Sequence, residues 1–331
     1  DHYDSKIEAR WSDNLGQRMV GRWRKRAAGK SAWVEMAFQA EEVNSESDLF
    51  EPAGESADIA GRWLVQFADD PDPAVGVFQQ KGNSIEGTFL TTTGDFRFLA
   101  GRMRGPEMEI SCFDGAHAFL FRAKLKDDQL TGDFWSGASF HDTWTAVKNE
   151  KAKLPNPFGM TKWNENVKLA DLKFSDLEGN LHSLAEEKFA GKAIVLQLFG
   201  SWCPNCHDAA DFLAELHREY EPQGLSIVGL AFEYTEDLER NAEQVRRYTA
   251  KHGTKYPVLI VGPSDKARAT KVFRGIDRVK AYPTTIFMNG RGDVHSIYAG
   301  FSGPATGDAH TELKQSYRRI IEELIRSEEK N

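Results

Sequence analysis

From residue 61 to residue 148, apolar and polar positions alternate in short runs broken by polar turns. The runs are GRWLVQFA, AVGVFQQ, SIEGTFLT, FRFLAGRM, EMEISCF, HAFLFRAKL, LTGDFWS and DTWTAVK, with turns such as KGN, TTGD and KDDQ between them. A period of two over four to eight residues predicts half-buried strands. Eight of them with short turns predict an antiparallel meander, closed into a barrel or folded as a sandwich. The whole of residues 1–150 reads as one all-β domain, with 41–58 (EEVNSESDLFEPAGESAD) as an acidic surface loop. Gly21 to Trp33 and Gly132 to Trp144 share a glycine–tryptophan separation of twelve. Each follows a Tyr3-Asp4 or Phe113-Asp114 pair, so a duplicated β unit is one expectation and chance likeness of two hairpins the other.

The pattern changes near residue 155. Residues 151–163 (KAKLPNPFGMTKW), with two prolines and a glycine, read as a linker to a second domain at 164–331. There, buried strands (AIVLQLF, LSIVGLAF, YPVLIV, TTIFMN) alternate with helical periodicity, as in an α/β fold. Phe212, Leu213, Leu216 and Tyr220 form one helical stripe, and ERNAEQVRRYTAKHG a helix stopped by Gly253. Leu313, Tyr317, Ile320 and Leu324 share a face of a C-terminal helix. Asn289-Gly290-Arg291-Gly292 signals a hairpin turn before VHSIYAG; its Arg-Gly-Asp triplet is read as a chance match to an adhesion peptide.

Composition narrows the function classes. The chain of 331 residues has room for two cores. A net charge of −8 offers no general attraction to nucleic acid or anionic lipid, and the basic run at residues 22–26 reads as a strand face or turn. No apolar run reaches the roughly 18 residues of a membrane span. The chain begins at Asp1 without Met, which leaves room for a removed signal peptide or a membrane tether upstream. Three cysteines cannot make a disulfide scaffold. Cys112 lies in a strand-like run and reads as a small buried hydrophobe. Of the aromatics Trp135, Phe140 and Trp144, core filling is the expected role, and a ligand mouth or partner surface the alternative.

The other two cysteines stand in FGSWCPNCH, residues 199–207. C-x-x-C between a strand and a helix is a redox dithiol; C-x-x-C-H is also a c-type haem attachment signature, and Cys203, Cys206 and His207 could hold copper or zinc. The motif follows a buried strand directly, which favours the dithiol, with His207 an exposed residue of the second turn. Haem would need an apolar cavity and an open or second axial position. A cysteine at a helix start faces unpaired N–H groups and the positive end of the helix dipole, both of which favour thiolate. Cys203 takes that position, Pro204 a first-turn site where proline costs nothing, and Cys206 lies one turn on. No cofactor is called for.

Four features in order make residues 167–331 similar to the thioredoxin superfamily, within it the TlpA/ResA-like thiol–disulfide oxidoreductases. They are the hairpin-like FSDLEGNLHSL, the strand AIVLQLF, SWCPNC opening a helix, and Tyr282-Pro283-Thr284-Thr285 before a strand. The eighty residues from Cys203 to Pro283 leave room for an extra strand–helix element, a trait of that group. The resemblance implies an extracytoplasmic enzyme, periplasmic or in the cell envelope, acting on protein or small-molecule disulfides and regenerated by an upstream redox partner. It implies attack by Cys203 and release by Cys206, with Trp202 beside the sulfurs. Pro283 becomes a cis-proline that, with Tyr282 and Thr284, presents backbone to an extended substrate. Two departures stand out. Gln197 replaces the buried acid six residues before the first cysteine, and Ala209 replaces a glutamate three after the second. Glu233, at the end of LSIVGLAFE, is the candidate proton acceptor in their stead, with Gln197 a lesser one; Asp208 is expected to be solvated. A reductase is the favoured direction. The alternative is a ligand- or partner-binding β module carrying a redox-sensing or copper-carrying domain.

Overall fold

A computed structural model of the chain describes residues 3–11, 18–26, 32–42 and 56–328. Most of the acidic stretch at 41–58 lies outside the described residues.

Among the described residues, twelve strands precede residue 150. Three of them, β1 (Ser5–Trp11), β2 (Arg18–Arg26) and β3 (Trp33–Glu41), pair antiparallel in a small sheet of their own. The remainder are β4 (Gly61–Phe67), β5 (Ala74–Lys81), β6 (Ser84–Thr91), β7 (Gly94–Asp95), β8 (Leu99–Arg104), β9 (Glu107–Phe113), β10 (Ala118–Lys126), β11 (Gln129–Ser136) and β12 (Phe140–Lys148). Apart from the two-residue β7, an offshoot of β6, these pair in chain order, and β12 returns to pair with β4. The result is a closed eight-stranded antiparallel barrel. Closure leaves no free edge, and it decides between the two architectures the alternation allowed.

Inward positions of the barrel are aromatic. Trp63, Phe67, Phe78, Phe89, Phe121, Phe134 and Trp144 are buried together. Phe121 stacks on Phe134 with centroids 4.4 Å apart, and tilts on Phe89 at 4.5 Å. Side chains therefore fill the interior, as expected for so few strands. Trp144 belongs to this core, while Phe140 is exposed and Trp135, half-buried, stacks on His141.

The described residues before 150 thus hold two antiparallel sheets. The basic run on β2 is balanced across the small sheet: Arg22 and Arg24 pair with Glu35, and Arg18 with Glu41. The twelve-residue repeat does not survive in register, because Trp33 lies opposite Arg26 whereas Trp144 lies opposite Gly132. The matching rows are Ala9–Gly21–Phe38 and Ala123–Gly132–Trp144. A side chain at either glycine would run into the backbone of the neighbouring strand, so the two hairpins share a close approach that only glycine permits.

The second half is a seven-stranded mixed sheet in the order β14 (Leu181–Ser183), β13 (Lys173–Ser175), β17 (Val258–Pro263), β16 (Leu225–Glu233), β15 (Ala193–Phe199), β18 (Thr284–Asn289) and β19 (Val294–Ala299). The parallel pairs β15–β16 and β16–β17 form its centre. Every residue of β15 is buried, consistent with its unbroken apolar run. Among the described residues, four helices accompany the sheet: α1 (Pro204–Tyr220), α2 (Leu238–His252), α3 (Lys266–Phe273) and α4 (Asp308–Glu328). Gly253 caps α2 in the left-handed region at φ 60°. Leu313, Tyr317, Ile320 and Leu324 are all buried, as the stripe on α4 predicts. Among the described residues no helix is long and apolar enough to cross a membrane.

Candidate functional site

Strand β15 ends at Phe199, and the next four residues turn the chain into α1. Cys203 is the N-cap of that helix in extended conformation, with Pro204 at N1. The Cys206 and His207 N–H groups donate to the Cys203 carbonyl at 3.0 and 3.2 Å, so the first turn is fully formed. Both cysteines are free thiols, Cys203 6% exposed and Cys206 fully buried. Burial pushes the Cys206 thiol well above its usual range, and its hydrogen bond with Cys203 pushes the same way. Cys206 therefore needs a proton acceptor before it can act as a nucleophile.

The Cys203 thiol donates to the Tyr282 carbonyl at 3.4 Å. The following Tyr282–Pro283 bond is cis. Pro283 in turn accepts from Gly300 N–H at 2.8 Å, and the Thr284 hydroxyl closes onto the Ala281 carbonyl at 2.8 Å. Trp202 stacks on Tyr234 at 4.6 Å, meets Tyr282 edge-on at 5.6 Å and donates to the Phe232 carbonyl at 2.9 Å. An aromatic wall thus flanks the sulfurs. Tyr234, which belongs to that wall, was not legible as a site residue.

Glu233 ends β16, and it is wholly buried rather than solvated. Its carboxylate accepts from the Ser201 N–H at 2.9 Å and the Ser201 hydroxyl at 2.7 Å. Burial raises its pKa to about 7, against the lowering by these two bonds. Its charge acts on Cys206. Gln197 is buried elsewhere in the sheet, where it accepts from Thr285, which in turn accepts from Tyr317. An amide held in this way takes up no proton.

Two expectations are corrected. His207 is buried, not exposed: Nε2 lies 2.8 Å from the Ser201 carbonyl, Nδ1 2.6 Å from His252 Nε2, and His252 Nδ1 2.6 Å from Asp211. With both ring nitrogens engaged, His207 presents none to a haem iron or a metal. His252 lies 45 residues away on α2, so nothing local announced the pairing. Asp208, expected in water, is part-buried and bonded by Arg97 of the barrel. Tyr248 donates to the Cys206 carbonyl at 2.7 Å, a further contact no motif signalled.

The comparisons with known proteins fall on the second half of the chain. Residues 166–297 match the AhpC/TSA family. The chain is 28% identical over 134 residues to the thiol-disulfide oxidoreductase ResA of Halalkalibacterium halodurans, covering 38% of this chain and 62% of that protein. It is 27% identical over 158 residues to the thioredoxin-like protein YneN of Bacillus subtilis, covering 43% of this chain and 83% of that protein. Of solved structures, a putative thiol:disulfide interchange protein DsbE from Chlorobium tepidum is 18% identical, with a TM-score of 0.38. That match covers 50% of this chain and 99% of the other. Residues 166–297 form a thioredoxin-like domain that matches the AhpC/TSA family, and over this part the chain is similar to TlpA/ResA-like proteins.

Proposed function

We propose that the chain is a thiol–disulfide oxidoreductase that works through Cys203 and Cys206 and reduces protein disulfides outside the cytoplasm. The observation that carries this is the pair itself. One thiol caps a helix beside the Tyr282 carbonyl, and the second is buried one turn on, within hydrogen-bond reach of the first. The Cys203 thiolate attacks one sulfur of a partner disulfide, forming a mixed disulfide and releasing one partner thiolate, which takes a proton from water. Cys206 then loses its proton to Glu233 and attacks the Cys203 sulfur. The second partner thiol leaves, and the enzyme holds the disulfide. Two electrons have moved from dithiol to partner, and an upstream dithiol restores them.

Glu233 suits this role because a carboxyl with a pKa of about 7 accepts and returns a proton near neutral pH. Trp202, Pro204, Tyr282, Pro283 and Thr284 would form the surface against which the substrate chain lies. The extracytoplasmic placement rests on the resemblance to TlpA/ResA-like proteins. The reductive direction is the finer part of the reading, since a proline after the first cysteine also serves strong oxidants.

The test is an equilibrium redox titration followed by Trp202 fluorescence, with Cys203→Ser as control. A two-electron transition near about −270 mV, the thioredoxin value, supports a reductase. One near about −120 mV makes the protein an oxidant. No transition at all overturns the dithiol reading.

A further inference from the structure

Cys203 is 6% exposed, yet in-line attack requires a partner sulfur to reach it. The other half of the chain packs against the residues around it. After β6 a two-residue turn, Thr92-Thr93, leads into β7, which pairs back onto β6, and this hairpin packs against the neighbours of the dithiol. Thr93 backbone lies against Gly300, whose own N–H is bound to Pro283; a Cβ on Gly300 would stand 2.9 Å from the Thr93 carbonyl carbon. Gly94 lies so close to Asn205, between the two cysteines, that a side chain there would overlap its amide. Asp95 is half-buried and accepts from Gly303 N–H at 2.7 Å. Arg97 reaches Asp208, one bond at 3.1 Å. Thr92 donates to Asp72 at 3.1 Å, and Asp72 is bound by Lys280, two residues before Tyr282.

Arg97 holds φ 64°, an unusual conformation for a residue with a side chain. Strain of this sort persists where surroundings impose it, here the clasp on Asp208. From another side, Tyr3 meets the His207 ring edge-on at 4.6 Å. The neighbouring Asp4 is held by Gln244 at 2.9 Å and by Arg240.

We propose that residues 92–95 and the Arg97 side chain, on either side of Phe96, which stays anchored in the barrel core, are an internal occupant of the face on which the dithiol meets its substrate, so that a protein disulfide must displace them. This rests on the proposed oxidoreductase reading. The loop also describes the partner it excludes: an extended segment with a small residue against Asn205, a carboxylate for Gly303 N–H, and a cation for Asp208.

The test uses the full chain, reduced, with iodoacetamide alkylation of Cys203 timed by peptide mass. Turnover of insulin disulfides and the redox titration are read on the same samples. In Arg97→Glu the clasp becomes repulsion, and alkylation and insulin turnover should both rise about tenfold, equivalent to roughly 1.4 kcal/mol lost from the closed form. Adding Asp208→Arg restores opposite charges and should return alkylation to within about threefold of the parent, since the rebuilt pair recovers most of that energy. Arg97→Ala, a milder cut, should move both rates the same way by a smaller factor. Unchanged alkylation in Arg97→Glu and Arg97→Ala, with a normal titration, overturns the cover and leaves the oxidoreductase reading intact. The same holds for a double variant that stays as reactive as the single. Failure of the parent to titrate instead removes the reading on which the proposal rests.

Discussion

The two halves of this chain bury different things. The barrel interior is a cluster of aromatic rings, whereas the thioredoxin-like half buries Glu233, Ser201, His207, Gln197 and Thr284 close to its central strands. Phenylalanine rings need no polar partner, and the buried indole N–H groups of Trp63 and Trp144 are met by the Ile59 and Asp133 carbonyls, so the barrel core is complete from its own half of the chain. Buried polar groups each require a partner with correct geometry, and most around the dithiol have one: Ser201 for Glu233, Ser201 and His252 for His207. The first core holds its shape with rings, and the second holds partnered polar groups around the dithiol. A lesion in one should read out as stability, and in the other as chemistry.

The sharpest break falls on the chemical side. Cys203→Ser should abolish disulfide reduction while leaving thermal unfolding close to that of the parent, because the lost group is one sulfur with a single thiol–carbonyl bond. Cys206→Ser should instead accumulate the mixed disulfide with a protein substrate, visible on a non-reducing gel. A Cys203→Ser variant that still turned over substrate would place the chemistry elsewhere. On the other side, Phe121→Ala empties a fully buried site between Phe89 and Phe134. A cost of about 3–5 kcal/mol is expected in urea unfolding followed by barrel tryptophans. The midpoint of the dithiol titration should not shift. A shifted potential would mean that the barrel core communicates with the sulfurs.

Glu233 sharpens the comparison because it serves both accounts. Its folded pKa of about 7 stands above the ordinary 4.5. Below pH 4.5 folded and unfolded chains are both protonated there, and the group makes no difference. Between 4.5 and 7 the folded chain keeps a proton that the unfolded chain has lost, so stability falls as pH rises, by about 3 kcal/mol in all. Glu233→Gln removes that slope. Urea unfolding at pH 5 and pH 8 should show the variant gaining on the parent by about that amount at the higher pH. Its rate of disulfide reduction should fall, and the pH–rate profile should lose the limb near 7. Equal stability differences at both pH values would mean that the carboxyl is ionised throughout and is no proton store.

What the sequence disclosed follows the range of the forces involved. The eight barrel strands were legible because alternation is local, and Trp63, Val65 and Phe67 point inward as written. Closure was not, since it depends on β12 meeting β4 some eighty residues back. The short helix α3 left almost no stripe, as Ala269 and Phe273 are its only buried residues. Cys203 and Cys206 stood out as a spacing motif, and Glu233 by its place at a strand end. The burial of His207 was hidden because it depends on His252, and that of Asp208 because Arg97 lies 111 residues upstream. A charged residue next to the motif reads as solvated until something distant covers it.

Tyr248 offers the finest cut between packing and chemistry. Its ring stacks on Phe199 at 4.7 Å and its hydroxyl donates to the Cys206 carbonyl at 2.7 Å, both in the interior. Tyr248→Phe keeps the ring and deletes only the donor. The carbonyl sits in the first turn of α1, whose geometry places the second thiol against the first. Loss of one buried hydrogen bond should cost about 1 kcal/mol in urea unfolding. If the bond serves only the fold, the rate at which Cys206 resolves a mixed disulfide stays unchanged. If it positions the resolving thiol, that rate falls by more than a similarly costly lesion in the barrel, such as Ile85→Val, produces. Stopped-flow tryptophan fluorescence on the two variants distinguishes these outcomes.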